Sequence, residues 1–574
     1  MVAFIFGYSR MTMRLSHRLA PLACGALLGL AIPVFAAGAT PREDSNALIM
    51  TAEIALQRNN CGRAADSYVT AAQRLTDVKL AQRAAQVALD CGQYAAADRA
   101  VARWRQLAPQ DPAALHAGVR TQLGLYHLSD AANLFENWLK SSAGKANATA
   151  DELLLLSEQA GAPATFAMAR SVHERLLDDS KVQLAVAALG FDSWNYRAAL
   201  QYAQRALTAG ADKGETHALM ARANAGLGQA DAAIQEAQSA KAAAPADQGF
   251  IVADVLHMLG RDAEARQTLA GLEDNAKLRS AALRRLALMA FDRGDYDEAE
   301  SGFEQLLNQT DSQAVSVFYL AAIAERRGED QKAFRGYQLL SGTALEAAAR
   351  TRAAALLFKQ GDHGEALKLL AAADDAEVAA KLAAEMAQAQ LLARAGVPGE
   401  AVARMDDALD RYPAHPELVY QRCIYLEQAG RTDVAVAQLE SLYHSREHDA
   451  SIANALGFIL VDHNRDLARA ERLIGAALAD QPDNPAILDS MGWLQFRRGA
   501  PRAALPLLER AYRLEQDGDI GAHWGEVLWS LGEKTQARQV WTRAFAVDPD
   551  NEALKSALQR SGGEPAPPAK GTAI

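Results

Sequence analysis

An alanine returns along this chain about every 34 residues, and few folds tolerate such a period. Ala299, Ala333, Ala366, Ala401, Ala435, Ala470, Ala504 and Ala537 are separated by 34, 33, 35, 34, 35, 34 and 33 positions. A glycine usually stands five residues earlier, at Gly294, Gly328, Gly361, Gly396, Gly430, Gly499 and Gly532. Larger apolar residues follow the alanine on the same helical face, as Phe303 and Leu306 follow Ala299. The glycine suits a tight reversal between two helices, and the alanine suits the point where those helices cross. Prolines at Pro109, Pro245, Pro413, Pro482 and Pro549 stop the second helix of several units. Such a helix pair cannot bury its apolar face alone, so neighbours must stack.

This pattern resembles the tetratricopeptide repeat (TPR). The resemblance implies an all-α fold, a right-handed TPR superhelix (α-solenoid) of about 15 helix pairs whose concave groove binds other proteins. The register is strict over 281–560, a regular C-terminal arc. Over 45–280 it loosens into a degenerate N-terminal arc. There Ala265, Ala233, Ala199, Ala131, Ala97 and Ala65 keep a period of 32 to 36 if a unit near Ala167 is counted. An irregular helix pair or a bend is expected at 150–180. The tail, 561–574, carries Pro565, Pro567 and Pro568 and reads as disordered.

The first residues read as an export signal. Arg10, Arg14 and Arg18 precede an apolar stretch from Leu19 to Phe35, and small residues allow cleavage near 36 or 39. This makes 1–36 a signal peptide and the periplasm the expected location. An uncleaved anchor is the competing reading, although Pro21, Gly25, Gly29 and Pro33 interrupt the stretch. Cys24 follows Pro21-Leu22-Ala23, but the apolar run lies after it rather than before, which argues against a lipid anchor to the outer membrane. Cys61-Gly62 and Cys91-Gly92 occupy matching turns of successive units. In an oxidising compartment they could bridge; two buried thiols are the equal alternative.

Nothing in the chain reads as catalytic machinery. Phosphate loops, His-Glu-x-x-His and Gly-x-Ser-x-Gly are absent, so no enzyme and no cofactor are expected. His444, Glu447 and His448 invite a metal reading but fall in a polar junction, and no metal site is assigned. A net charge of −11 argues against nucleic acid as a partner.

The TPR register places groove residues on the first helix of each closing unit. These are Asn454, Phe458 and Asp462; then Asp489, Trp493, Phe496 and Arg497; then Glu526 and Trp529, with His523 at the edge. Aromatic bodies beside polar neighbours are the make-up of a binding hot spot. Packing against the next helix is the alternative. Trp524 and Trp541 read as core.

Asn454-Ala-Leu-Gly457, Leu488-Asp-Ser-Met-Gly-Trp493 and His523-Trp-Gly-Glu-Val-Leu-Trp529 resemble the closing repeats of a proteobacterial envelope family. Its best-understood type is the TPR adaptor of the carboxy-terminal processing protease. The resemblance implies a scaffold that brings peptidoglycan hydrolases to that protease, with peripheral outer-membrane association left open. A structural scaffold in an envelope export or assembly complex, such as polysaccharide secretion, is the alternative. No protease-contacting residue is carried over.

Overall fold

A computed structural model of the chain describes residues 41–561 except 142–145, 173–176, 246–247, 273–277, 372–377, 447–448 and 550. The expected signal peptide, Cys24, Glu447, His448 and the tail beyond 561 lie outside the described residues. Every regular element among the described residues is a helix, 31 in all, from Pro41–Gln57 to Glu552–Arg560. Thirty of them form 15 consecutive antiparallel pairs, and Glu552–Arg560 covers the last pair. No described helix is long and apolar enough to cross a membrane.

The periodic alanines explain the pairing. All fourteen from Ala65 to Ala537, Ala167 aside, lie on the second helix of a pair and are fully buried. The first helix answers with a glycine in the closing units. A Cβ on Gly457 would stand 2.6 Å from Ile474 Cγ1, and one on Gly492 would stand 2.7 Å from Leu508 Cγ. Ile474 and Leu508 each follow a periodic alanine by four residues, so glycine on one helix and alanine on the other let two backbones close up. Aspartate or asparagine caps the first helix of many units through its side chain, as Asp449, Asn484, Asp517 and Asn551 do. Each such cap is worth about 1 kcal/mol.

The unit near 150–180 departs from the rule, and the alanine assigned there is a correction. Ala167 is only half-buried. Thr165, 34 residues from both Ala131 and Ala199, is the fully buried residue, and its hydroxyl donates to the Gly161 carbonyl at 3.0 Å. The helix Ala146–Ala160 packs against Ser180–Asp192 as well as against its own partner, the ten-residue helix Ala162–Ser171.

The solenoid closes on itself. Turns of the N-terminal arc press against unit junctions of the C-terminal arc, and one buried apolar cluster runs from Ala52–Ala117 into Leu382–Ala435. A Cβ on Gly62 would fall 2.7 Å from Pro413, and one on Gly92 2.5 Å from His415. Lys381 Nζ donates to Asn59 Oδ1 at 2.6 Å. Arg446 donates to the Gly124 carbonyl at 2.7 Å and lies over the Tyr126 ring. Beyond it, Asp483 accepts from the Tyr196 amide at 2.9 Å, and its own amide donates to the Trp194 carbonyl at 3.0 Å. Arg513 donates to the Ala225 carbonyl at 3.1 Å.

Two features of this seam have physical causes. The glycine position of the turn, where φ is 73° or more at all seven glycines of the strict units, holds Tyr126 (φ 64°) and Trp194 (φ 54°) here. Left-handed backbone at a bulky residue costs of order 1–3 kcal/mol, so contacts to the facing arc must offset it. The sequence separation across the seam is 322 at Gly124–Arg446 and 287 at Tyr196–Asp483. The difference is about one repeat, and the irregular unit at 146–171 lies between the two points. It is the extra unit on the N-terminal side.

Candidate functional site

Three successive first helices, Ala450–Asp462, Pro485–Arg497 and Gly518–Ser530, stand side by side near the C-terminal end. Residues four apart share one face of a helix. Asn454, Phe458 and Asp462 therefore form one row, and Asp489, Trp493 and Arg497 form the next. The period places His523 beside Asp489.

The rows interlock. His523 Nδ1 is 2.9 Å from both carboxylate oxygens of Asp489. The imidazole lies flat on Trp493, with ring centroids 4.2 Å apart and planes at 17°. Phe458 approaches the same imidazole at 6.0 Å with its plane tilted by 43°, and Phe496 flanks Trp493 at 5.2 Å. Arg497 closes the end: its guanidinium donates to the Asp462 carbonyl at 2.9 Å and sits 5.8 Å from the Trp493 ring centre. Asp489 is buried, and the His523 side chain keeps 16% of its exposure. Burial alone would push the imidazole pKa down. The charge and hydrogen bond of Asp489, with Asp519 and Asp462 farther off, outweigh that and hold it raised. Two buried polar atoms of the strip, Asn454 Oδ1 and Trp493 Nε1, have no hydrogen-bond partner among the described residues.

Eight of the ten residues read from the register thus lie on one strip. Glu526 and Trp529 do not join it. Trp529 faces its own partner helix, 5.6 Å from Trp541 and under Lys534. Glu526 pairs with Arg560 of the closing helix at 3.0 Å. The caps Asn484 and Asp517 and the crossing glycines Gly492 and Gly525 are 33 residues apart, so Glu526 holds the position of Trp493 and Trp529 that of Phe496. Trp541 is core as read, donating to the Ala522 carbonyl at 3.2 Å, while Trp524 is half-buried against Tyr512.

Cys61 and Cys91 lie with Cα atoms 5.5 Å apart and their sulfurs joined. Cys423 is buried and free, and burial pushes its thiol up to about 11. Glu427, Asp462 and His463 bring their ligand atoms within 4.8 Å of one another at the surface. His463 is already engaged by Glu427 at 3.1 Å, and Asp462 is beside Arg497. This reads as a solvated ion-pair cluster. His444 is exposed at the end of Thr432–Ser445.

Helix pairs at a 34-residue period, with alanine and glycine at the crossing, decide the architecture. It is an all-α solenoid of consecutive helix pairs, consistent with the tetratricopeptide repeat. No family model matches the chain. A TPR repeat-containing protein of Pseudomonas aeruginosa is 30% identical over 211 residues, which is 36% of this chain and 35% of that protein. The chain thus spans about a third of the length of the curated relative it matches. Among solved structures, yeast Tom70 covers 66% of this chain and 96% of its own at 14% identity, with a TM-score of 0.32. A tetratricopeptide repeat protein from Parabacteroides merdae covers 50% and 99% at 16% identity, with a TM-score of 0.28.

Proposed function

We propose that the TPR solenoid is an exported scaffold that captures a protein partner on the strip formed by Phe458, Asp489, Trp493, Phe496, Arg497 and His523. The observation that carries this reading is the stack of His523 on Trp493, with Phe458 6.0 Å away. Three helices contribute to it, and it remains partly open to solvent. Such a site offers aromatic area with a charged rim and needs no chemistry of its own.

In its finer form, the scaffold brings cell-wall hydrolases to a carboxy-terminal processing protease. The support is the resemblance of the closing repeats to the envelope adaptors, together with an N-terminal stretch that reads as an export signal. The joined Cys61 and Cys91 suit an oxidising compartment. Two partners held on one scaffold gain effective concentration for each other.

The test is a pull-down from periplasm and detergent-solubilised envelope with the mature chain as bait, read by mass spectrometry. Recovery of such a protease with hydrolases, lost with Trp493→Ala, supports the adaptor. Recovery of an export complex without them makes the protein a structural scaffold.

A further inference from the structure

A second surface, away from the aromatic strip, is built where the two arcs meet. Two adjoining clefts of about 320 and 240 Å³ share the side chain of Arg197. Arg510 and Arg513 wall the first cleft, and Arg170 and Arg205 wall the second. Glu509 is the one carboxylate lining either. Five guanidiniums stand against Glu509 in the lining and the buried Asp483 behind Arg510, an excess that runs counter to a chain whose net charge is −11.

Most of these arginines are fixed in place. Arg510 pairs with the buried Asp483, and Arg513 donates to the carbonyls of Ala225 and Gly226. Arg170 and Arg205 lie over the rings of Phe166 and Tyr202, each at 5.5 Å. Arg197 is exposed, and its charge is felt by the buried Asp483 across the seam. Burial and the neighbouring Arg510 push the Arg513 pKa down, as expected where positive charge is in excess.

We propose that this arginine cleft docks an acidic segment of a protein partner, with Asp or Glu carboxylates bridging Arg197 to the guanidiniums on either side of it. A guanidinium fork matches a carboxylate in two parallel hydrogen bonds. The amides of Gln229 and Gln201 add donors and acceptors suited to a peptide backbone. A long nucleic-acid strand would meet the net negative charge beyond the clefts. The concave, polar walls give a bilayer no flat apolar face to enter.

The experiment is fluorescence anisotropy of a fluorescein-labelled hexaglutamate peptide against the full mature chain at about 50 mM salt, where charge contacts are least screened. Hexaglutamine is the neutral comparison. Inorganic pyrophosphate and phosphatidylglycerol vesicles provide the other anionic arms. The proposal expects hexaglutamate to bind, hexaglutamine not to bind, and Arg197→Glu to weaken binding at least about tenfold, the loss of one charge-assisted contact. Arg472→Glu, an equal charge change at an exposed site elsewhere, should leave affinity within about twofold. Equal weakening by Arg472→Glu, or no binding at all, overturns it. So does pyrophosphate or vesicle binding that depends on Arg197 and exceeds peptide binding. Trp493→Ala should not alter this binding, so the cleft and the aromatic strip stand or fall separately.

Discussion

The imidazole of His523 rests on the indole of Trp493, 4.2 Å between centroids, while its Nδ1 is held by Asp489 one helical turn before that tryptophan. One residue is thereby gripped through its face and its edge by two side chains of the neighbouring helix. This fixes the distance between successive first helices at the strip and leaves Trp493 half-buried with one face covered.

Trp493 and Trp529 should separate binding from packing. Trp493→Ala removes the centre of the strip and is expected to weaken partner capture by about 2 kcal/mol, the size of a hot-spot loss. Trp529→Ala leaves space against Trp541 and should cost roughly 2–4 kcal/mol of stability with capture retained. Thermal melting and capture, measured on both variants, check the pair. Reversed phenotypes would remove the strip as a site.

Histidine titration should distinguish the strip from the seam. The folded pKa of His523 lies above its ordinary 6.5, so the stabilisation from its pairing with Asp489 is complete below 6.5 and fades as pH rises through the raised value. Asp489→Asn should abolish the raised titration, read by the imidazole NMR signal.

His415 has the opposite sign. It is packed on Gly92 across the seam, and burial with Arg446 nearby lowers it to about 4. Its neutral form is the one the fold accepts. Stability is whole above 6.5 and falls as pH drops toward 4, because the unfolded chain takes the proton first. Melting between pH 7 and 4.5 should fall less steeply in His415→Gln.

Breaking the seam should open the solenoid without unfolding its units. Arg446→Ala removes a charged hydrogen bond to Gly124, a cation–π contact with Tyr126 and an ion pair with Asp449. The first of these alone is worth about 1.5–3 kcal/mol. Small-angle scattering should show a larger radius of gyration, with far-ultraviolet circular dichroism unchanged.

Reduction should weaken the first two units selectively. The Cys61–Cys91 bond closes a loop with sequence separation 30, which corresponds to about 3–4 kcal/mol of denatured-state entropy. Hydrogen exchange of 41–107 should rise in Cys61→Ser while exchange in 450–547 stays unchanged.

Much of the strip was legible in the sequence because position in a repeat sets direction from the helix axis. Asn454 and Asp489 each stand five residues beyond their caps Asp449 and Asn484, and Phe458 and Trp493 nine. In the last unit the residues at the corresponding positions, Glu526 and Trp529, meet Arg560 and Trp541 instead, partners that the repeat register does not reveal. Near 167 the period was followed through alanine, where Thr165 sits instead. A buried threonine can satisfy its hydroxyl on the preceding turn, so residue type there was a weaker guide than spacing.

The sequence by itself determined the helix pairs, their order and the crossing points, since those rest on contacts within about one repeat. The tertiary structure alone decided that the two arcs meet. Gly62 and Pro413, Tyr126 and Arg446, or Trp194 and Asp483 lie hundreds of residues apart, and no local period relates one to the other. Their meeting depends on the small rotation between neighbouring units summed over the whole solenoid, with one irregular unit shifting the register. Side chains at a single position do not encode that sum.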